Sequence, residues 1–385
     1  MTVVNNRVKF GHVALNCHNV EVTERFYSNF FGFSRDSVRG GVMNHFINRY
    51  LLCPALLISL FFFSSSAALA DDSAQQPWMI SAQPFGLLSM PELVKPSPPD
   101  KRLFLKITTG YQYDTNAILN AQGAPVPEGI GKKDDSRLVL NLSGSYVPLK
   151  GAQGDLTINY AFFQSLHADL DDFNLTQNLA ELAGRYKIDG NVTLRYSAVF
   201  QHLLLGTNLF DYALMTGPSV IIAEGHGQYT AVDLRYRSTE YRNVSIFKTN
   251  ADRTGSNYSG ALIHTMTLSS AALVRVGYAI DQDDARTTLW DGTGHRGSVE
   301  GSLILPKDTL LDVYGEYYRK DYDGIYKSIG GQRADNSWST VVTLTTYFEQ
   351  KYGVSLRALY NRNISNVPAF DMARVIAGIL FDVRF

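Results

Sequence analysis

The stretch Arg374-Val375-Ile376-Ala377-Gly378-Ile379-Leu380-Phe381-Asp382-Val383-Arg384-Phe385 decides the fold. Val375, Ala377, Ile379, Phe381, Val383 and Phe385 alternate with Arg374, Ile376, Gly378, Leu380, Asp382 and Arg384. Period two is the signature of a strand with two unlike faces. One face is wholly apolar; the other carries three charges, with Ile376 and Leu380 as exceptions. Such a strand suits the edge of a soluble sheet or a wall between lipid and a wet lumen. The rest of the chain chooses between them.

The alternation recurs from Leu103 onward. Leu103, Leu105, Ile107, Thr109, Tyr111 and Tyr113 share a face, as do Leu138, Leu140, Leu142, Gly144 and Tyr146. Comparable runs include Leu156–Phe162, Ala180–Ile188, Val192–Phe200, a weaker one at Met215–Ala223, Thr230–Tyr236, Tyr258–Thr267 and Ala272–Ile280. The series ends with Gly297–Leu305, Thr309–Tyr317, Trp338–Phe348, Val354–Tyr360 and the closing strand, about fourteen in all.

Short turns are expected at Pro148–Gly154, Asp189–Asn191, Glu224–Gly227, Leu268–Ala271, Pro306–Asp308 and Glu349–Lys351. Longer polar connections are expected at Thr115–Ser136, Leu166–Leu175, Leu203–Ala213, Thr239–Ser256, Asp281–Gly292, Lys320–Asn336 and Asn363–Phe370. Long and short alternate, which sorts them to the outer and periplasmic ends of a barrel. The expected fold is therefore all-β: a transmembrane antiparallel up-and-down barrel in a bacterial outer membrane, spanning residues 102–385.

Composition agrees. Charged residues make up only 18% of the chain, against 22 Tyr and 21 Phe, which suits strands with aromatic girdles. A net charge of −1 gives no basic excess for nucleic acid. Both cysteines, Cys17 and Cys53, precede the cleavage site described next, so the exported part has no disulfide or thiolate metal site.

Met43 opens a secretory signal: Asn44, His45 and Arg49 form the head, Leu51–Phe63 the apolar core, and Ala68-Leu69-Ala70 the cleavage site. The core is shorter than the roughly 20 residues of a spanning helix. Residues 71–101 carry Pro77, Pro84, Pro91, Pro96, Pro98 and Pro99 and form either a periplasmic tail or a plug. Upstream, Val8–Asn16 reads as a strand and Val20–Phe31 as an amphipathic helix.

Opposite the apolar faces fall Arg195, Asp233, Arg235, Arg237, Arg275, Arg296, Glu300, Asp312, Glu316, Arg357, Arg374 and Asp382. An Arg turned toward lipid costs about 2–4 kcal/mol at mid-membrane, so these charges face the lumen. They form either a salt-bridged network stiffening a closed interior or a constriction sorting solutes by charge. Hydrolase chemistry needs Ser, His and an orienting group together. His295 and Ser298 fall on opposite faces, and no other set stands out, so no enzyme activity and no cofactor are expected.

Three resemblances add to this reading. The closing stretch resembles the last strand of bacterial outer-membrane barrels, whose terminal Phe is read by the barrel-assembly machinery; that implies the role for Phe385. Gly110-Tyr111-Gln112-Tyr113-Asp114-Thr115-Asn116 and Tyr360-Asn361-Arg362-Asn363-Ile364-Ser365-Asn366 resemble the barrel of surface lipoprotein assembly modifier proteins. This implies an exported lipoprotein as partner, although Asp71–Lys101 is shorter than one helical repeat of about 34 residues. Phe10-Gly11-His12-Val13-Ala14-Leu15-Asn16, Glu24-Arg25-Phe26-Tyr27 and Phe30-Phe31-Gly32-Phe33 resemble the opening of a glyoxalase-type (vicinal oxygen chelate) module. There His12 would be a metal ligand, but a catalytic metal needs about three protein ligands. Residues 1–42 therefore read as an extension outside the native protein, which would start at Met43.

The functional expectation is a transport or translocation channel, passing a small solute or serving surface assembly. The alternatives are a closed barrel displaying its outer loops and, third, an outer-membrane enzyme. N-terminal sequencing of the exported protein is expected to begin at Asp71; peptides from Asn5–Arg35 attached to the barrel would refute that. Deleting Phe385 should leave the chain in the periplasm, degraded by proteases; unchanged heat-modifiable protein in the outer membrane would refute the assembly role.

Overall fold

The computed structural model describes residues 102–385, except Glu128, His226 and Gln350, together with one short antiparallel pair, Lys9–Phe10 with Val13–Ala14. That pair turns the chain back where the sequence suggests one continuous strand from Val8 to Asn16. His12, the signal segment with Ala70, and the tail or plug at 71–101 lie outside the described residues.

Fourteen strands close into one antiparallel barrel. They are β1 (Leu103–Asp114), β2 (Asp135–Lys150), β3 (Gly154–His167), β4 (Leu175–Lys187) and β5 (Val192–Leu205). Next come β6 (Asn208–Gly225), β7 (Gln228–Tyr241), β8 (Gly255–Ser269), β9 (Ala272–Ala285) and β10 (Gly292–Leu305). The set ends with β11 (Thr309–Tyr326), β12 (Gly331–Phe348), β13 (Tyr352–Ser365) and β14 (Met372–Arg384). Each pairs with its neighbours in sequence, and β14 pairs with β1 from Ile376↔Asp114 to Arg384↔Lys106.

The outer surface is what alternation requires. Ile107, Leu142, Leu182, Leu234, Leu262, Val299, Leu356 and Ile379 are all exposed. A continuous apolar band around a barrel without free strand edges is the surface that hydrocarbon accepts. Aromatic rings mark both borders. Tyr146, Tyr186, Phe348, Tyr352 and Phe385 ring the periplasmic end. Toward the outer end, six outward tyrosines on odd-numbered strands each reach across to the following strand. Tyr160 donates to Asn178 at 2.7 Å, Tyr317 to Asn336 at 2.6 Å and Tyr113 to Asp134 at 2.5 Å. Tyr196 meets Thr216 at 2.8 Å, Tyr236 meets Ser256 at 3.0 Å and Tyr278 meets His295 at 2.8 Å.

The periplasmic turns fall where expected, with 306–308 and 349–351 matching to the residue. Among the outer connections, Asp281–Gly292 is shortened to 286–291 because β9 runs on through Asp281 and Asp283 to Ala285, and two others depart further. Instead of a long segment at Leu203–Ala213, β5 and β6 are joined by Gly206 and Thr207 alone, Gly206 supplying φ +59°. Instead of Lys320–Asn336, β11 and β12 continue to Tyr326 and from Gly331. In both places the strand runs on without the apolar-out pattern: Leu203 and Leu205 point inward, and beside inward Tyr318 and Tyr322 the outward residues are Arg319, Asp321 and Asp323. The weak segment around Met215 also has a cause. Gly217 and Pro218 have no partners in β7, because proline offers no N–H and interrupts the ladder.

Nor are the outer connections polar throughout. Ala117, Ile118, Leu170, Phe173, Val244 and Phe247 pack with Leu175, Leu203, Leu205 and Phe210 into one buried cluster. Trp290, Val367 and Phe370 pack with Tyr322 into a second. The connections fold over the outer mouth as two apolar caps.

At the closing seam two inward glycines let the strands approach. A Cβ on Gly378 would sit 2.2 Å from the Tyr111 carbonyl oxygen, and one on Gly110 would sit 2.1 Å from that of Ile379. Gly378→Val should therefore force the seam apart. The overpacking cost is about 1–3 kcal/mol, read as a lower midpoint of heat-modifiability on gels. An unchanged midpoint would show that the seam tolerates the side chain.

Candidate functional site

All twelve charges singled out in the sequence sit on the face turned away from the apolar band, and they divide into two tiers. The tier nearer the periplasm is paired pairwise. Arg195 is ion-paired with Glu181. Arg275 donates to Glu300 at 3.1 Å and to Thr265 at 3.3 Å. Asp312 accepts from Ser302 at 2.5 Å, and Asp382 lies 3.5 Å from Lys106. Arg357 is half-buried on the same tier. In a medium of intermediate dielectric, unit charges about 4 Å apart attract by roughly 4 kcal/mol, so neighbouring strands that carry opposite charges are held together.

The outer tier surrounds a cavity of about 280 Å³ lined by strands from β5 round to β14. It gathers Asp233, Arg235, Arg237, Arg296, Glu316 and Arg374 from the expected set. Asp233 and Arg235 stand 3.9 Å apart, and Arg296 lies 3.7 Å from Glu316 while stacking 4.6 Å from the Tyr318 ring centre. Arg237 donates to Thr239 at 2.9 Å. Over the whole lining charge is balanced, Asp211, Asp233, Asp281, Asp283, Asp284 and Glu316 standing against Arg235, Arg237, Arg253, Arg296, Arg374 and Lys320.

Sequence reading missed much of this wall. Asp211, Asp281, Asp283, Lys320, Tyr318 and Tyr322 also line the cavity. Asp211 is fully buried; one carboxylate oxygen accepts from Gln201 at 2.8 Å and the other has no hydrogen-bond partner. Asp281 accepts from Tyr318 at 3.0 Å, and Asp283 from Asn257 at 2.9 Å and from Lys320. The signal was present: Asp281 and Asp283 continue the inward phase of Arg275, and Lys320 that of Glu316. Placing those stretches in loops hid it.

Two arginines tie the caps to the barrel. Arg333 is fully buried, donates to Asp335 at 3.0 Å, and stands 3.3 Å from the Phe370 ring centre and 4.4 Å from that of Tyr322. A desolvated cation over aromatic faces contributes about 2 kcal/mol. Arg253, in the connection 242–254, lies between the two clusters, 4.7 Å from the Tyr241 ring centre and 4.8 Å from that of Trp290. Burial pulls its guanidinium down to about 10. At the other end, in the turn 188–191, backbone N–H groups of Asn191 and Val192 hold the Asp189 carboxyl below its usual range.

Catalytic geometry does not assemble at the pair weighed in the sequence. Ser298 lines the cavity, whereas His295 is outside, against Tyr278. Among the described residues no group of three His, Cys, Asp or Glu side chains is placed to hold a metal.

No family model and no curated protein sequence matches the chain. Similar solved structures include a loop-deletion mutant of OmpT, an outer membrane protein of Vibrio cholerae, at 11% identity and TM-score 0.43, covering 74% of this chain and 99% of that one. The anion-selective porin from Comamonas acidovorans is 9% identical at TM-score 0.42, with 74% and 98% covered. OprB from Pseudomonas putida is 8% identical at TM-score 0.43, with 74% and 95% covered. The likeness is one of barrel architecture alone.

Proposed function

We propose that the protein is a porin-like channel for small polar solutes in the outer membrane. The observation that carries this reading is the charge-balanced cavity of about 280 Å³ inside a closed barrel, walled by side chains from β5 to β14. A lumen needed only for stiffness gains nothing from an open chamber, because filling it with side chains would bury more surface. Balanced charge favours solutes that are neutral or carry both signs over simple anions.

An exported lipoprotein is the less favoured cargo. The residues behind that resemblance have architectural jobs. Asp114 binds Arg374 across the seam, Asn116 donates to the carbonyls of Asn120 and Ala373 at 2.9 and 3.0 Å, and Asn363 donates to that of Phe370 at 2.6 Å. Outer-membrane lipid and the barrel-assembly machinery, through Phe385, remain the proposed partners. The Phe385 backbone completes the seam, its N–H donating to the Leu105 carbonyl at 2.9 Å, while its ring faces outward.

A second reading, a closed barrel that displays its outer connections, is favoured by the two apolar caps. Planar-bilayer recording separates the two. A channel conducts, and Arg235→Gln with Arg237→Gln, which removes two positive charges from the cavity wall, should move the reversal potential toward cation preference. Absence of conductance in both wild type and double variant would overturn the channel and leave the closed barrel.

A further inference from the structure

Two groups on the wall of the outer-tier cavity have incomplete hydrogen bonding, and they carry opposite charge. Asp211, near the outer end of β6, is fully buried. Gln201 donates to one of its carboxylate oxygens at 2.8 Å, and the other has no hydrogen-bond partner. Arg237 is the converse case. Its Nε donates to Thr239 at 2.9 Å, and among the described residues no carboxylate stands within ion-pair distance of its guanidinium.

The ladder between β6 and β7 sets the two side by side. Asp211 is paired with Tyr241, and Thr239 and Arg237 follow in the same inward phase of β7. Arg237 is the cation that acts most strongly on Asp211, yet the two form no ion pair. A buried acceptor left without a donor is costly, and a donor delivered from the cavity offsets that cost. Along the same wall a guanidinium stands ready for an acceptor.

We propose that this part of the lumen selects small zwitterions: the ammonium end of the solute donates to Asp211, and its carboxylate accepts from Arg237. The inference rests on the channel reading, because it names the solute class that the lumen passes. Water and sugar hydroxyls also donate to a carboxylate. A bond between two ionised groups adds Coulomb attraction to the hydrogen bond, and a zwitterion makes one at each end. A simple cation or anion makes only one, and it brings net charge into a lining whose acids and bases balance. The cavity, about 280 Å³, lies at the lower edge of the roughly 300–1,000 Å³ of small-molecule pockets, which suits an amino acid better than an oligosaccharide.

Saturation-transfer NMR on the full-length exported protein in detergent, with empty micelles subtracted, tests this without requiring conductance. Alanine and γ-aminobutyrate are the zwitterions, holding their charges at short and long spacing; butyrate, butylamine and 1,4-butanediol lack one charge or both. The expected result is a signal several-fold stronger for at least one zwitterion than for any of the other three. Asp211→Asn should erase the preference over butyrate and keep that over butylamine; Arg237→Gln should do the reverse. Equal signals for the zwitterions and either singly charged compound, or variants that lose both preferences alike, would overturn the proposal. A barrel that conducts in planar bilayers but shows no zwitterion preference overturns this inference alone. A barrel without conductance overturns the channel reading, and solute selection with it.

Discussion

Everything in this molecule depends on the last strand finding the first. An open sheet would leave rows of N–H and C=O groups facing hydrocarbon, each costing several kcal/mol. Pairing from Ile376↔Asp114 to Arg384↔Lys106 removes both edges at once. The seam is reinforced at its two ends. The buried Asp114–Arg374 pair clamps the outer end, and Lys106 with Asp382 the periplasmic end. Breaking a buried pair by removing one partner costs about 3–5 kcal/mol, so these contacts also penalise wrong partners for either edge strand.

Closure creates an interior, and the interior then has to reconcile charge with limited water. The two tiers do so differently. Nearer the periplasm, Arg195 with Glu181 and Arg275 with Glu300 neutralise each other across adjacent strands. In the outer tier, charges of both signs face a shared space, and Asp211 keeps an oxygen without a partner. Above them Phe173, Phe210, Trp290 and Phe370 are buried in the two caps. Arg253 is wedged between ring systems of both caps.

Most of the barrel was legible in the sequence because lipid enforces period two on every outward residue. Leu138, Leu140 and Leu142 could hardly be read otherwise. The direction of each lumen charge followed from the same rule. What stayed hidden lies where the apolar-out pattern fails: Leu203–Leu205 is apolar on both faces, and at Tyr318–Tyr326 the outward face carries Arg319, Asp321 and Asp323 while Tyr318 and Tyr322 turn inward. There strand resembles loop. The partnerships stayed hidden too: that Asp211 and Asp281 line one cavity depends on shear and curvature, which no single segment encodes.

The outer ring of tyrosines has a consequence for how the hairpins find their alignment. A slip of one residue turns every side chain to the wrong face, but a slip of two keeps lipid and lumen faces correct and nearly all ladder bonds intact. The ladder is therefore almost blind to even errors. The tyrosines are not. Tyr160 is paired with Ala180 yet bonds Asn178; Tyr236 is paired with Tyr258 yet contacts Ser256; Tyr317 is paired with Trp338 yet bonds Asn336. In each the hydroxyl meets the residue two places before the partner, and Tyr113, Tyr196 and Tyr278 obey the same offset. Six identical diagonals make a vernier: they read the one displacement that hydrophobicity and backbone bonding both leave undetermined.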